Sequence, residues 1–141
     1  MKIVERIANE LHRLQPTLPI YRENQPAGFK EPSFFITRVT TVSRPELFER
    51  QNRSYYYQIV YFPDPAKKTN VQLEVMEEFL LDNFLSLADF AYIREREFTE
   101  SDGALTMTFK VQLRAYPQRE TTMLETMKYK GGLAGGSQTT N

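Results

Sequence analysis

Apolar residues recur at helical spacing at the start of the chain: Ile3, Ile7, Leu11 and Leu14 fall on one arc, with Val4 at its edge. This spacing predicts an amphipathic helix over residues 2–14, stopped by Pro16 and Pro19. A short extended piece at 20–23 follows, then a loop at 24–32 punctuated by two prolines and a glycine. Residues 34–42 are rich in β-branched and aromatic side chains and read as a strand, broken at Ser43-Arg44-Pro45. The charged segment 46–53 reads as a loop or a short helical turn. Residues 55–62, led by Tyr55, Tyr56 and Tyr57, carry the strongest strand signal in the chain. Both faces of that run are apolar or aromatic, which predicts a central strand covered on both sides and ended by Pro63 and Pro65.

A second helix is expected over residues 70–87. Glu74, Glu77, Glu78 and Asp82 share one arc of it, and Val75, Met76, Phe79 and Leu80 are assigned to the opposite arc. Strands at 92–99 and 104–116 are joined through Ser101-Asp102-Gly103, since Asp-Gly between extended runs favours a tight hairpin. The last strand alternates: Leu105, Met107, Phe109, Val111 and Leu113 face one way, and Thr106, Thr108, Lys110, Gln112 and Arg114 face solvent or a partner. The order α-β-β-β-α-β-β predicts an α+β fold, a mostly antiparallel β-sheet with two helices packed on one face. This domain is expected to span 1–117. Beyond Pro117 the pattern is lost, and 118–141 reads as an extension with a short strand around 123–129 and a flexible glycine-rich end, ordered in part by neighbouring subunits.

Composition narrows the function. Ten Phe and eight Tyr, with no Trp, favour sheet and contact surface over a plain helical bundle. Eighteen basic residues balance eighteen acidic ones, so the chain lacks the broad positive field of a protein that grips nucleic-acid backbones. A neutral chain also does little to keep copies of itself apart. Absence of cysteine rules out disulfides, thiolate metal sites and Cys nucleophiles. The charged N-terminus lacks a signal-peptide pattern, and no run approaches the roughly 20 apolar residues that span a bilayer. The expectation is synthesis and use in the cytoplasm, with no membrane partner.

Candidate chemistry is sparse. His12, the only histidine, lies off the apolar arc of its helix and reads as a solvated surface residue. No Walker loop, dinucleotide-binding glycine pattern or metal-spaced cluster is present. Glu74, Glu78 and Asp82 stand four residues apart and could form an acidic site, but a solvated helix face is the plainer reading. Tyr55, Tyr56, Tyr57 and Tyr61, preceded by Arg50 and Arg53, could stack bases in a small nucleic-acid-binding module; a core strand is again plainer. No enzyme activity, cofactor or metal is expected.

Other features suggest contact with further subunits. Leu81 and Leu85 lie on the carboxylate arc of the second helix, exposed in a monomer unless the sheet wraps that helix more widely. Arg44-Pro45-Glu46-Leu47-Phe48-Glu49-Arg50 places two large apolar residues inside a charged loop; they face a partner or fold back on the domain. Arg44, Leu47, Phe48, Arg50, Arg53, Leu81, Leu85, Met123, Leu124 and Tyr129 are therefore the subunit-interface candidates.

Several strings carry a family resemblance: Ile20-Tyr21-Arg22-Glu23-Asn24-Gln25, the run from Gly28 to Ile36, the run from Arg44 to Gln51, the tyrosine strand ending in Phe62-Pro63, and the stretch from Asp102 to Arg114. With them the chain resembles phage tail terminators of Gram-positive phages, prophages and contractile phage-tail-like particles, from Met1 to about Leu133. The resemblance implies a ring, commonly hexameric, that caps the tail tube, stops its polymerisation and docks neck or connector proteins, with possible sheath contact. It implies no catalysis and no cofactor. It also implies a neck-proximal place in the virion tail after assembly in the host cytoplasm, with DNA only passing through the lumen and with Lys110 and Arg114 as the lumen- or tube-facing candidates. The nearest alternative is a tail-completion or head–tail connector protein.

Overall fold

In the computed structural model, residues 2–22 and 28–117 are described. Helix α1, Ile3–Leu14, forms where the apolar spacing predicts, with Ile7 and Leu11 fully buried and Ile3, Val4 and Leu14 at the margin of the core. Its first turn is tied by the Lys2 N–H, which donates to Glu5 Oε1 at 3.3 Å. Near its end Arg13 Nη2 meets Glu10 Oε2 at 2.6 Å, and His12 is exposed.

The remaining elements are β1 (Ile20–Tyr21), β2 (Ser33–Pro45), β3 (Gln51–Phe62), α2 (Thr69–Asn83), β4 (Ile93–Ser101) and β5 (Ala104–Ala115). They make a five-stranded sheet in the order β1-β2-β3-β5-β4. β1 runs parallel to β2, through Ile20 opposite Phe34 and Tyr21 opposite Phe35. β3 and β5 run antiparallel, since Asn52 Oδ1 accepts from Gln112 Nε2 at 2.9 Å while Tyr57 lies beside Phe109 with ring centroids 6.2 Å apart. β4 and β5 form the expected hairpin, closed beyond the Ser101–Ala104 pair by Asp102 and Gly103 at φ 54° and 73°. Two successive left-handed residues are what the tight hairpin turn demands, and Gly103 adopts that region without steric cost.

Alternate residues of three strands enter one core: Phe34 and Ile36 from β2, Tyr57, Ile59 and Tyr61 from β3, and Leu105, Met107, Phe109 and Val111 from β5. Both helices close over that face, α1 with Ile7 and Leu11 and α2 with Leu73, Met76 and Leu80. The fold is therefore α+β, a mostly antiparallel sheet with its helices on one face. Phe84 sets its ring edge against Phe109 at 5.4 Å, and the Arg6 guanidinium lies 3.9 Å from the Phe90 ring centroid, linking α1 to the loop after α2.

Four expectations are corrected. β3 is central, but only one of its faces is fully covered: Tyr56, Gln58, Val60 and Phe62 on the other are half-buried, with Phe29 packed on Phe62 at 5.1 Å and Phe35 at 6.2 Å. β2 does not break at Ser43-Arg44-Pro45 but continues to Pro45. A hairpin partner extends it, and proline is tolerated at the strand end, where no ladder bond needs its missing N–H. Val75 is 64% exposed on α2, because one turn of that helix buries Leu73, Met76 and Leu80 and leaves Val71 and Val75 beside the carboxylates. Finally, α2 stops at Asn83, short of residue 87.

The early end of α2 has a specific cause in β4. Arg94 pairs with Lys110, but Glu97 already pairs with Thr108, so Glu95 and Arg96 together oppose Phe109. This is a β-bulge, with Glu95 at φ 54°, and it re-aims the side chains on either side of it. Glu95 Oε2 reaches Lys110 Nζ at 2.6 Å. Arg96 Nη1 donates to the carbonyls of Leu80 (3.0 Å), Leu81 (3.1 Å) and Phe84 (3.3 Å). The Leu80 carbonyl already accepts from the Phe84 N–H at 2.9 Å, whereas a cation there gives the Leu81 and Phe84 carbonyls a donor past the last helical bond and opposes the negative end of the helix dipole.

The described residues form two compact units, 2–44 with 52–113, and 45–51 with 114–117. The expected extension 118–141 lies outside the described residues, as do Met123, Leu124 and Tyr129.

Replacing Arg96 with Ala should lower unfolding stability by about 1–3 kcal/mol, since bonds from a charged donor are lost and the Leu81 and Phe84 carbonyls lose that donor. Urea unfolding measures this, and Arg96→Lys should recover only part of it. Burial also raises the Tyr57 and Tyr61 phenols above their ordinary value of 10.0. The fold therefore keeps protons that the unfolded chain releases above pH 10.0, and stability should fall as pH rises past that point. Tyrosinate absorbance followed together with ellipticity should show these two phenols ionising only as the protein unfolds.

Candidate functional site

The described residues contain no group of three or more His, Asp or Glu side chains placed to hold a metal ion. Glu74, Glu78 and Asp82 are all exposed on the outer side of α2. Among the described residues, no helix is long and apolar enough to cross a membrane. The surface is organised instead by apolar residues that the core does not take up.

The first such place is the turn between β2 and β3, with Leu47 76% exposed and Phe48 88% exposed. The Glu46 N–H donates to the Arg50 carbonyl at 2.7 Å, and the Arg50 N–H donates to the Leu47 carbonyl at 3.2 Å. Phe48 and Glu49 both hold left-handed backbone, at φ 60° and 64°. For residues with a Cβ such geometry costs about 1–3 kcal/mol each, and it is concentrated at functional positions. Below this apolar tip, Glu46 Oε1 accepts from Arg50 Nε at 2.9 Å and lies 3.6 Å from Arg114 Nε. Arg50 and Arg114 thus share one carboxylate, and Leu47 and Phe48 do not fold back onto a local core.

The second place is the far half of β2. Thirteen residues of strand reach about 43 Å, whereas a twelve-residue helix such as α1 covers only about 18 Å. The helices run out before the strand does, and residues 38–45 are exposed throughout, with Val39 at 57% and Val42 at 38%. Near the start of that stretch a cleft of about 770 Å³ is lined by Lys2, Ile3, Arg22, Arg38, Tyr55 and Tyr57, among others. The third place is the outer side of α2, where Val71 (54%) and Val75 stand one turn apart.

The other sequence-predicted residues are distributed over these surfaces and elsewhere. Arg44 is exposed and Arg53 half-buried. Leu81 is half-buried and Leu85 is 49% exposed beyond the end of α2, so the expected pair one helical turn apart is corrected: the two do not share a helix face. The Lys110 side chain is only 14% exposed and held by Glu95, so the open sheet face there carries a neutralised pair. Of the β3 tyrosines, Tyr57 and Tyr61 are buried in the core, Tyr55 packs at its margin, and Tyr56 is half-buried on the opposite face. Sequence reasoning missed Val39, Val42, Val71 and Val75. The length of β2 relative to the helices was the available signal for the first two; helix periodicity could have placed the others.

No curated protein matches the chain. A family model described as "Phage tail terminator protein" matches residues 2–123, which takes in both helices, all five strands and the Leu47–Phe48 turn. With a match over that share of its length, the chain belongs to the phage tail terminator family.

Proposed function

We propose that this protein closes into a ring, commonly a hexamer in this family, on the last ring of the tail tube. There it stops tube polymerisation and presents a docking surface to neck or connector proteins. The family is structural rather than enzymatic, and its place is the phage tail. The observation that best supports ring closure is the Leu47–Phe48 turn: two large apolar side chains held out on strained backbone with no local core to fill. A cyclic ring needs two different patches on each subunit that meet with a closing rotation. The turn, the exposed half of β2 and the Val71–Val75 side of α2 are candidates for such patches.

The open sheet face, with Lys110 tied to Glu95 and Thr106, Thr108 and Gln112 around it, suits a lumen or tube-facing surface. A weakly charged lining lets DNA pass without gripping it. Assembly would take place in the host cytoplasm, before the completed tail joins a head.

Replacing Leu47 and Phe48 together with Ser should leave the far-ultraviolet spectrum intact and reduce the mass in solution to that of a monomer. Retention of the wild-type ring would remove the turn from the interface. Imaging of particles assembled without this protein separates cap from connector. Over-long or unfinished tubes are expected for a terminator, and normal tails that fail to join heads would assign the connector role instead.

A further inference from the structure

The two long edges of the sheet are treated differently. On the outer side of β2, β1 pairs only at Phe34 and Phe35, and no other described strand continues along that edge. The Phe34 N–H points outward, donating to the Pro19 carbonyl at 2.9 Å. Because strand residues alternate, Arg38, Thr40, Val42 and Arg44 direct their N–H and C=O groups to the same open side. The stretch 37–44 reads Thr-Arg-Val-Thr-Thr-Val-Ser-Arg: five of its eight residues are β-branched, its charges are both positive, and it contains no proline. An isolated protein normally blunts such an edge. This one is left extended and exposed.

The opposite edge is β4. Its first half is blunted by the bulge at Glu95 and Arg96. Beyond the bulge, Glu97-Phe98-Thr99-Glu100-Ser101 is regular strand, paired residue by residue with β5 on its inner side, with no described strand on its outer side. This segment carries two carboxylates and no cation. The β2–β3 hairpin and the antiparallel pairs β3–β5 and β5–β4 make β2 and β4 run in opposite directions. Subunits related by rotation about a ring axis therefore bring β2 of one copy beside β4 of the next as an antiparallel pair.

We infer that the rings are joined by strand addition between copies: the free β2 edge over residues 38–44 takes the β4 edge over 97–101 of the neighbouring subunit. The chain's five-stranded sheet thereby continues from subunit to subunit. Arg38 and Arg44 face an acidic partner in this arrangement, whereas β2 against β2 would oppose arginine to arginine. The contact is heterologous, so it propagates around a closed ring instead of ending at a dimer. This inference rests on the ring reading above and assigns the interface within it.

The absence of native cysteine makes a direct test simple. A series of double variants would pair Thr99→Cys with Val39→Cys, Thr41→Cys or Ser43→Cys, which share the open face with Thr99, in the full chain under mild oxidation. At least one pair should give a ladder of covalent oligomers up to the ring, while each single variant gives none. Efficient dimers from Thr41→Cys alone would mean self-pairing of β2 and would overturn the assignment. Rings by mass with no ladder from any pair would overturn the strand addition and leave the ring reading standing; a monomer at all concentrations would overturn both. Thr40→Pro supplies an independent arm. It removes an outward N–H while sparing the β2–β3 ladder, so a folded monomer is expected, and a folded Thr40→Pro protein that still forms rings would overturn the pairing.

Discussion

Burial of a single sheet face beneath two short helices is the constraint from which the rest of this molecule follows. Phe34, Ile36, Tyr57, Ile59, Leu105, Met107 and Phe109 require cover, and Ile7, Leu11, Leu73, Met76 and Leu80 supply it. At about 25 cal/mol per Å² of apolar surface, burial of these side chains is the main favourable term in the fold. Cover on that scale needs α2 held at one length and position, and Arg96 meets the requirement by satisfying the carbonyls of Leu80, Leu81 and Phe84. The bulge in β4 allows Arg96 to face the helix while Glu95, its neighbour, turns to Lys110. A local irregularity in an edge strand thus sets the end of a helix on the covered face.

The same constraint creates the exposed surface. Strand residues advance more than twice as far as helical residues, so two helices of twelve and fifteen residues cannot cover thirteen residues of β2. What lies beyond them is an extended, β-branched ribbon edge, and the turn that follows carries Leu47 and Phe48 into solvent. The contrast between an open basic edge on β2 and a bulged, acidic edge on β4 gives the sheet a direction. Direction is the property that a closed ring requires and a two-fold dimer does not.

Much of the framework was legible in the residues. The spacing of Ile3, Ile7, Leu11 and Leu14 located α1, the alternation from Leu105 to Leu113 located β5 and its buried face, and Asp102-Gly103 located the hairpin. Charge balance and the sparse candidate chemistry pointed to a structural role, and the strings around Phe34, Phe48 and Phe62 pointed to the family that the matched residues 2–123 establish. Where the reading failed, a non-local partner had intervened. Ser43-Arg44-Pro45 looks like a breaker because local propensity disfavours it, yet the opposing strand β3 carries β2 through it. Residues 84–87 continue an apolar helical pattern, yet Arg96, twelve positions after Phe84, ends the helix. Leu81 and Leu85 therefore never come to share a face.

By itself the sequence determined the type and order of the elements, the buried face of α1 and β5, and the absence of cysteine, because these depend on periodicity and composition within short windows. Tertiary structure alone decided how far β2 extends past the helices, which of its edges stays unpaired, and where Arg96 points. Those outcomes depend on the relative reach of strands and helices and on a one-residue bulge that reverses alternation, and neither is encoded in any single window of the chain. They are also the features that leave this domain its exposed strand edge.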